Sequence, residues 1–187
     1  MPSRVHSKSR ISTSPDITRS LLELFVLRHG EAGTKPDDPE KDDARPLTRE
    51  GHSEMEALAA SMPKLGVELD SVATSPLPRA AQTAEIVARR YKLLNRLELW
   101  DELKPSGELE NLFRRLARQK GGSNLMIVGH EPQLSGMICR IISGSSEVNL
   151  VLKKAGLAKV EILGFKPKIT GELRWLLTPR IMKRAGK

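Results

Sequence analysis

Cysteine, aromatic residues and long apolar runs are what this sequence has least of. Its lone cysteine, Cys139, permits no disulfide within the chain, which fits a reducing compartment. Aromatic residues make up 3% of the chain, so a core must rest on Leu, Val, Ile, Ala and Met. No apolar run approaches the ~18 residues needed to cross a bilayer. The first residues carry no apolar h-region of the kind that marks a secretory signal. A cytoplasmic protein without a membrane partner is the expectation.

What is plentiful is positive charge: the net formal charge is +8 over 187 residues. Its distribution is uneven. Residues 1–20 hold Arg4, Lys8, Arg10 and Arg19 against Asp16, and residues 180–187 hold Arg180, Lys183, Arg184 and Lys187. The stretch between them, 21–179, is left with only +1. No RNP-like aromatic motif or zinc-finger spacing accompanies the basic ends, so nucleic acid is not the expected partner. The chain divides into a flexible basic N-terminal extension (1–20), one domain (21–179) and a basic C-terminal tail (180–187). The length suits a single core, and a monomer is expected.

Within 21–179 the apolar pattern alternates between strand and helix signals. Leu21 to Leu27 is a nearly continuous apolar run broken only by Glu23, as in a strand buried on both faces. A polar loop with three prolines, "GTKPDDPEKDDARP", comes next. Thr48 offers an N-cap to a helix whose Met55, Leu58, Ala59 and Met62 share one face. "SVATSP" reads as a short strand, 79–91 as a helix, and "RLELW" as another strand. Leu109, Leu112, Phe113, Leu116 and Ala117 line one side of the next helix, which Gly121 and Gly122 are expected to end. "NLMIVGH" reads as a strand, and Pro132 suits the first turn of a helix burying Leu134, Ile138, Ile141 and Ile142. "LAKVEIL" and "GELRWLL" form a closing pair of strands. This order predicts an α/β three-layer sandwich: a largely parallel central sheet, helices on both faces and an antiparallel edge.

In such folds ligands bind beyond the carboxyl ends of the strands. Two strands end there by delivering a histidine, His29 and His130. Arg28 precedes the first, and Arg79 stands at the start of a helix between them. Arginine presents a planar fork of donors to phosphate oxygens, a helix N-terminus favours anions, and neutral imidazole can attack phosphorus. Two arginines and two histidines at one sheet edge therefore suit phosphoryl chemistry without a metal or cofactor.

The segments "VLRHGEA", "RPLTREG", "TSPLPRAAQTAEI", "DEL" and "IVGHEP" resemble, in order, the motifs of the histidine phosphatase (phosphoglycerate-mutase-like) superfamily, over roughly Leu24 to Ile142. Within it the chain looks most like SixA-type phosphohistidine phosphatases. The resemblance implies that His29 is the phosphorylated nucleophile, with Arg28, Arg79 and His130 binding the phosphate. It also points to Glu102, by position, as the proton donor. Glu102 either donates that proton or holds Arg79 or its own loop. Only 27 residues separate Glu102 from His130, too few for the helical insertion that covers the site in larger members. The sequence after Gly30 also lacks the asparagine many mutases carry there.

Other residues are secondary candidates. Glu31 orients a site group or lies at the surface, and the acidic cluster Asp37, Asp38, Glu40, Asp42 and Asp43 reads as solvated loop, without EF-hand spacing. His52 is expected to be exposed, His6 to lie in the extension, and Cys139 to pack in the core. Lys104 and Ser106 are polar loop residues within reach of a substrate. Three functions stay open at this point. One is dephosphorylation of phosphohistidine on a partner protein, another is hydrolysis of a small phosphorylated metabolite, and the third is a non-catalytic phosphohistidine-binding module.

Overall fold

Strand β1 (Leu22–Arg28) is apolar on both faces. Leu22, Leu24 and Val26 join one buried cluster while Phe25 and Leu27 join another. Alternate side chains of a strand point to opposite faces, so this pattern requires a sheet covered on both sides. A computed structural model describes residues 22–119 and 121–185 and shows that arrangement; the expected extension, 1–20, lies outside the described residues.

Six strands form one sheet in the order β3-β2-β4-β1-β5-β6. β1, β2 (Ser71–Thr74), β3 (Leu97–Leu99) and β4 (Ser123–Gly129) are parallel. β5 (Leu157–Gly164) runs antiparallel to β1, and β6 (Thr170–Leu177) antiparallel to β5. On one face lie α4 (Leu109–Leu116) and α5 (Gln133–Ser143), packed through Leu112, Leu116, Leu134 and Ile138. On the other lie α2 (Arg49–Ser61) and α3 (Pro78–Tyr91), packed through Met55, Leu58, Ala84 and Val87. The three-layer sandwich with an antiparallel edge expected from the sequence is the fold. Each of these fully buried Leu, Val or Met side chains contributes about 1.5–3 kcal/mol relative to an exposed one, so the two clusters, not the surface ion pairs, hold the layers together. Glu23, the break in the apolar run of β1, reaches Lys159 on neighbouring β5 at 2.9 Å.

Several local details depart from the sequence reading. The polar loop after β1 contains a short helix, α1 (Pro39–Asp43), whose N-cap Asp38 accepts from the Glu40 N–H. Asp before Pro is a helix-start signal that the surrounding charge obscured. Helix α4 stops at Leu116, capped by Ala117, ahead of the two glycines expected to end it. Pro132 is the N-cap of α5 and not part of its first turn, and Ile142 is 36% exposed at the margin of the face it was expected to share. The segment set apart as a basic tail holds α6 (Pro179–Ala185), and its Met182 is fully buried in the α2–α3 cluster.

The start of α2 is tied to the segment that leaves β1. Thr48 Oγ1 accepts from the Gly51 N–H at 2.9 Å, and the Thr48 N–H donates to the Glu31 carbonyl at 3.0 Å. Gly51 then lies so close to that segment that a Cβ there would stand 2.1 Å from the Glu31 carbonyl oxygen. Helix propensity alone predicts that Gly51→Ala stabilises the protein by about 1 kcal/mol. The close approach predicts the reverse, a loss of about 1–3 kcal/mol from overpacking. Urea denaturation of this variant decides between them, and a raised midpoint would contradict the tight packing of Gly51 on Glu31.

Candidate active site

The register of β1 and β4 pairs Arg28 with Gly129, the last residue of each strand. His29 and His130 are the next residues along, so parallel pairing brings them out side by side. Their ring centroids lie 5.0 Å apart. The His29 N–H donates to the Gly129 carbonyl at 3.1 Å, which extends the ladder one residue past the strand. On the far side of β4, β2 ends at Thr74. The Ser75 N–H still bonds to Val128 there, and α3 opens at Pro78 to set Arg79 over the same edge. Arg28, His29, Arg79 and His130 thus line one cleft of about 240 Å³. Lys35, Asp42, Arg45, Glu131 and Lys154 complete much of its wall, making five basic side chains against two acidic ones.

Both histidines are almost wholly buried, at 5% and 2% exposure. His29 Nδ1 lies 2.8 Å from the Gly30 carbonyl, which can only accept, so Nδ1 carries the proton and Nε2 keeps its lone pair. The Gly30 peptide is itself fixed: its N–H donates to Thr83 Oγ1, whose hydroxyl donates to the Arg79 carbonyl. Burial, above all, pushes the His29 pKa down to about 4; the Gly30 bond opposes this, and the charges of Arg79, Arg28 and Arg45 add to it. Burial likewise takes His130 to about 3, helped by His29 and Arg79. At neutral pH both rings are neutral.

The arginines are held but not saturated. Arg79, 3% exposed, donates to the Asp42 carbonyl at 2.6 Å and stands 3.6 Å from the Asp42 carboxylate. Arg28 donates to the Leu152 carbonyl at 3.0 Å. The Nε atoms of both are buried and have no hydrogen-bond partner among the described residues. Buried donors left open cost free energy unless something accepts from them, and an oxyanion does so with charge assistance.

Three parts of this site are not legible in the sequence alone. Asp42, in the run expected to be solvated loop, is a structural anchor for Arg79 and Arg45: Oδ1 accepts from Arg45 Nη2 at 2.7 Å and from Nε at 3.1 Å. Burial acts to raise its carboxyl, but the Arg45 bonds and the charges of Arg79 and Arg45 outweigh burial and hold it below the usual range. Arg45, which opens "RPLTREG", also donates to the carbonyls of Ala32 and Gly33. The loop before β5 is the third part. Ala155 donates to the His29 carbonyl, Gly156 accepts from the Arg28 N–H, and Lys154 pairs with Glu31 at 2.8 Å. The available signal was the demand of a buried Arg79 for a partner, which the nearby acidic cluster meets.

Glu102 is the one expected site residue that the structure does not bring to the histidines. Its carboxylate pairs with Arg115 at 3.0 Å in a neighbouring groove shared with Lys104 and Ser106. It does not hold Arg79, and its carbonyl accepts from Gln133 Nε2, which ties its loop to α5. Glu31 accepts from the N–H groups of Ala32 and Gly33 and so shapes the turn after the histidine. His52 lies half exposed beside Glu56, and Cys139 is buried with its thiol against the Val148 carbonyl. His6 lies outside the described residues. Among the described residues no cluster of three or more His, Cys, Asp or Glu side chains is placed to hold a metal.

Residues 24–112 match the model of the histidine phosphatase superfamily (branch 1). An uncharacterised protein of Picosynechococcus is 36% identical over 138 residues, covering 73% of this chain and 82% of that protein. Phosphohistidine phosphatase SixA of Escherichia coli is 25% identical over 166 residues, covering 88% of this chain and 98% of SixA. The solved structure of protein histidine phosphatase SixA complexed with tungstate superposes with a TM-score of 0.71 at 24% identity, covering 84% of this chain and 97% of that one.

The buried neutral histidines make stability depend on pH. With a folded pKa of about 4 for His29 against 6.5 unfolded, the unfolded chain takes up the proton first as pH falls. Stability is therefore full above about pH 6.5 and is lost as pH descends towards 4, by about 3 kcal/mol for His29 alone. Denaturant titrations at pH 7, 5.5 and 4.5 should show this loss, and His29→Asn should remove much of it. An unchanged slope in that variant would mean that His29 is not a neutral, buried group.

Proposed function

The chain belongs to the histidine phosphatase superfamily and is a hydrolase of that type, and from this we propose a metal-independent phosphatase that carries the phosphoryl group on His29. Its proposed substrate is phosphohistidine on a partner protein. The observation that carries this reading is the fixed tautomer of His29, a buried ring with its Nε2 lone pair kept available beside two unsaturated arginines.

In the first step His29 Nε2 forms a bond to phosphorus as the P–N bond of the substrate breaks. The Gly30 carbonyl stays on Nδ1–H and steadies the positive charge that the ring gains. The departing side chain takes the bonding pair and leaves as neutral imidazole when its other nitrogen is protonated, which needs little help for a group of reference pKa ~6.5. Arg28, Arg79 and His130 meet the charge on the equatorial oxygens. Water then attacks phospho-His29, the ring leaves as neutral imidazole with Nδ1–H in place, and inorganic phosphate departs with the proton from water.

Substrate preference follows from the carboxylates. An ester releases an alkoxide, which requires an acid. Asp42 is held ionised by Arg45 and Arg79, Glu131 accepts two bonds from Ser135, and Glu102 faces the neighbouring groove. None is poised as a proton donor over the histidines, which suits a substrate that needs none. SixA of E. coli, by its name, acts on phosphohistidine, and among the described residues α4 and β4 are the elements between Glu102 and His130, a stretch too short for an inserted domain over the cleft.

Wild type and Glu102→Gln should be compared on a phosphoramidate and an aryl or alkyl phosphate. The reading predicts that the phosphoramidate is preferred by about 10²-fold or more and that the substitution leaves its turnover within about threefold. Ester turnover that exceeds phosphoramidate turnover and collapses in Glu102→Gln would instead identify a small-molecule ester phosphatase.

A further inference from the structure

His130 is oriented by a residue of the segment "TSPLPRAAQTAEI" to which the proposed chemistry gives no role. Its Nε2 lies 2.9 Å from Ser75 Oγ, and Ser75 is fully buried in the turn between β2 and α3. The Leu77 N–H donates to that same oxygen at 3.3 Å. A serine hydroxyl has one proton and two lone pairs. If His130 Nε2 also donated to Ser75, the hydroxyl proton would be left without an acceptor among the described residues. His130 Nδ1 is without a partner among the described residues in either tautomer, so the arrangement that leaves one buried polar group open instead of two has the hydroxyl donating to His130 Nε2. A neutral ring that accepts at Nε2 carries its proton on Nδ1. That atom is buried and has no partner among the described residues, while the ring lines the cleft 5.0 Å from His29.

We propose that Ser75 is a positioning residue that fixes the Nδ1–H tautomer of His130, so that this neutral ring offers an N–H donor to an equatorial oxygen of the bound phosphoryl group. Both histidines then have the same tautomer but turn opposite edges to the substrate. His29 presents the lone pair at Nε2 and His130 the N–H at Nδ1. One edge attacks, and the other stabilises charge that grows during the attack. A donor that carries no net charge can do this without perturbing the neutral state of His29 beside it. The inference rests on the proposed phosphoryl transfer for its catalytic consequence, but the tautomer itself exists without substrate.

Long-range ¹H–¹⁵N spectra of the imidazole rings at pH 7 test it directly. Wild type should show His130 protonated at Nδ1 and bare at Nε2. Ser75→Ala should move the ring to the Nε2–H form or a mixture, leave the His29 tautomer unchanged, and slow phosphoenzyme formation about 10- to 100-fold, as expected for a misplaced oxyanion donor. Ser75→Thr, which keeps the hydroxyl, should restore the Nδ1–H form. A wild-type His130 protonated at Nε2, or an unchanged tautomer in folded Ser75→Ala, would overturn the proposal. Wild-type protein that shows the expected tautomer but transfers no phosphoryl group would count against the proposed function and against the catalytic role of Ser75, while leaving the tautomer assignment standing.

Discussion

The parallel pairing of β1 with β4 is the constraint on which the site depends. With Arg28 opposite Gly129, the next two residues emerge at one height on one edge, and each is a histidine. A slip of one residue would turn Leu24 and Phe25 to the wrong faces and separate the two rings at the same time. The apolar clusters on both sides of β1 therefore fix the placement of the two rings as well as stability. Gly51 extends the same constraint outwards by letting α2 close on the carbonyl of Glu31, two residues past His29.

Electrostatically the cleft is an unfinished structure. Two arginines are buried beside two neutral imidazoles, and each keeps an Nε without an acceptor among the described residues. Asp42 anchors Arg79 while leaving part of its fork open, and Arg45 keeps Asp42 ionised. An anion suits this set better than a neutral acceptor, because hydrogen bonds from a guanidinium to a charged oxygen are the stronger ones. The same burial that costs stability on acidification keeps the His29 Nε2 lone pair free at neutral pH.

Much of this is legible in the chain. Continuous apolar runs mark β1 and β4, i, i+3, i+4 spacing marks α2 and α4, and the sheet-edge rule gathers Arg28, His29, Arg79 and His130 from sequence order alone. What stays hidden is decided by tertiary contact. Asp42 sits in a run of acids and prolines whose composition signals solvent, and only the position of Arg79 in space gives it a partner. The loop at 152–156 contributes backbone carbonyls and N–H groups, which nearly every residue has, so no side chain announces it. Glu102 is placed by tertiary contact too: Arg115, in the last turn of α4, pairs with its carboxylate in the neighbouring groove, which its position in the chain does not announce.

The proposed function requires that His29, and no other group, accept the phosphoryl group. Brief exposure of the protein to a phosphoramidate, followed by an alkaline quench and peptide mass spectrometry, shows which side chain is phosphorylated. The expected result is one acid-labile, alkali-stable phosphoryl group on the peptide bearing His29, absent in His29→Ala along with turnover. Phosphorylation on a different side chain, or hydrolysis undiminished in His29→Ala, would contradict it.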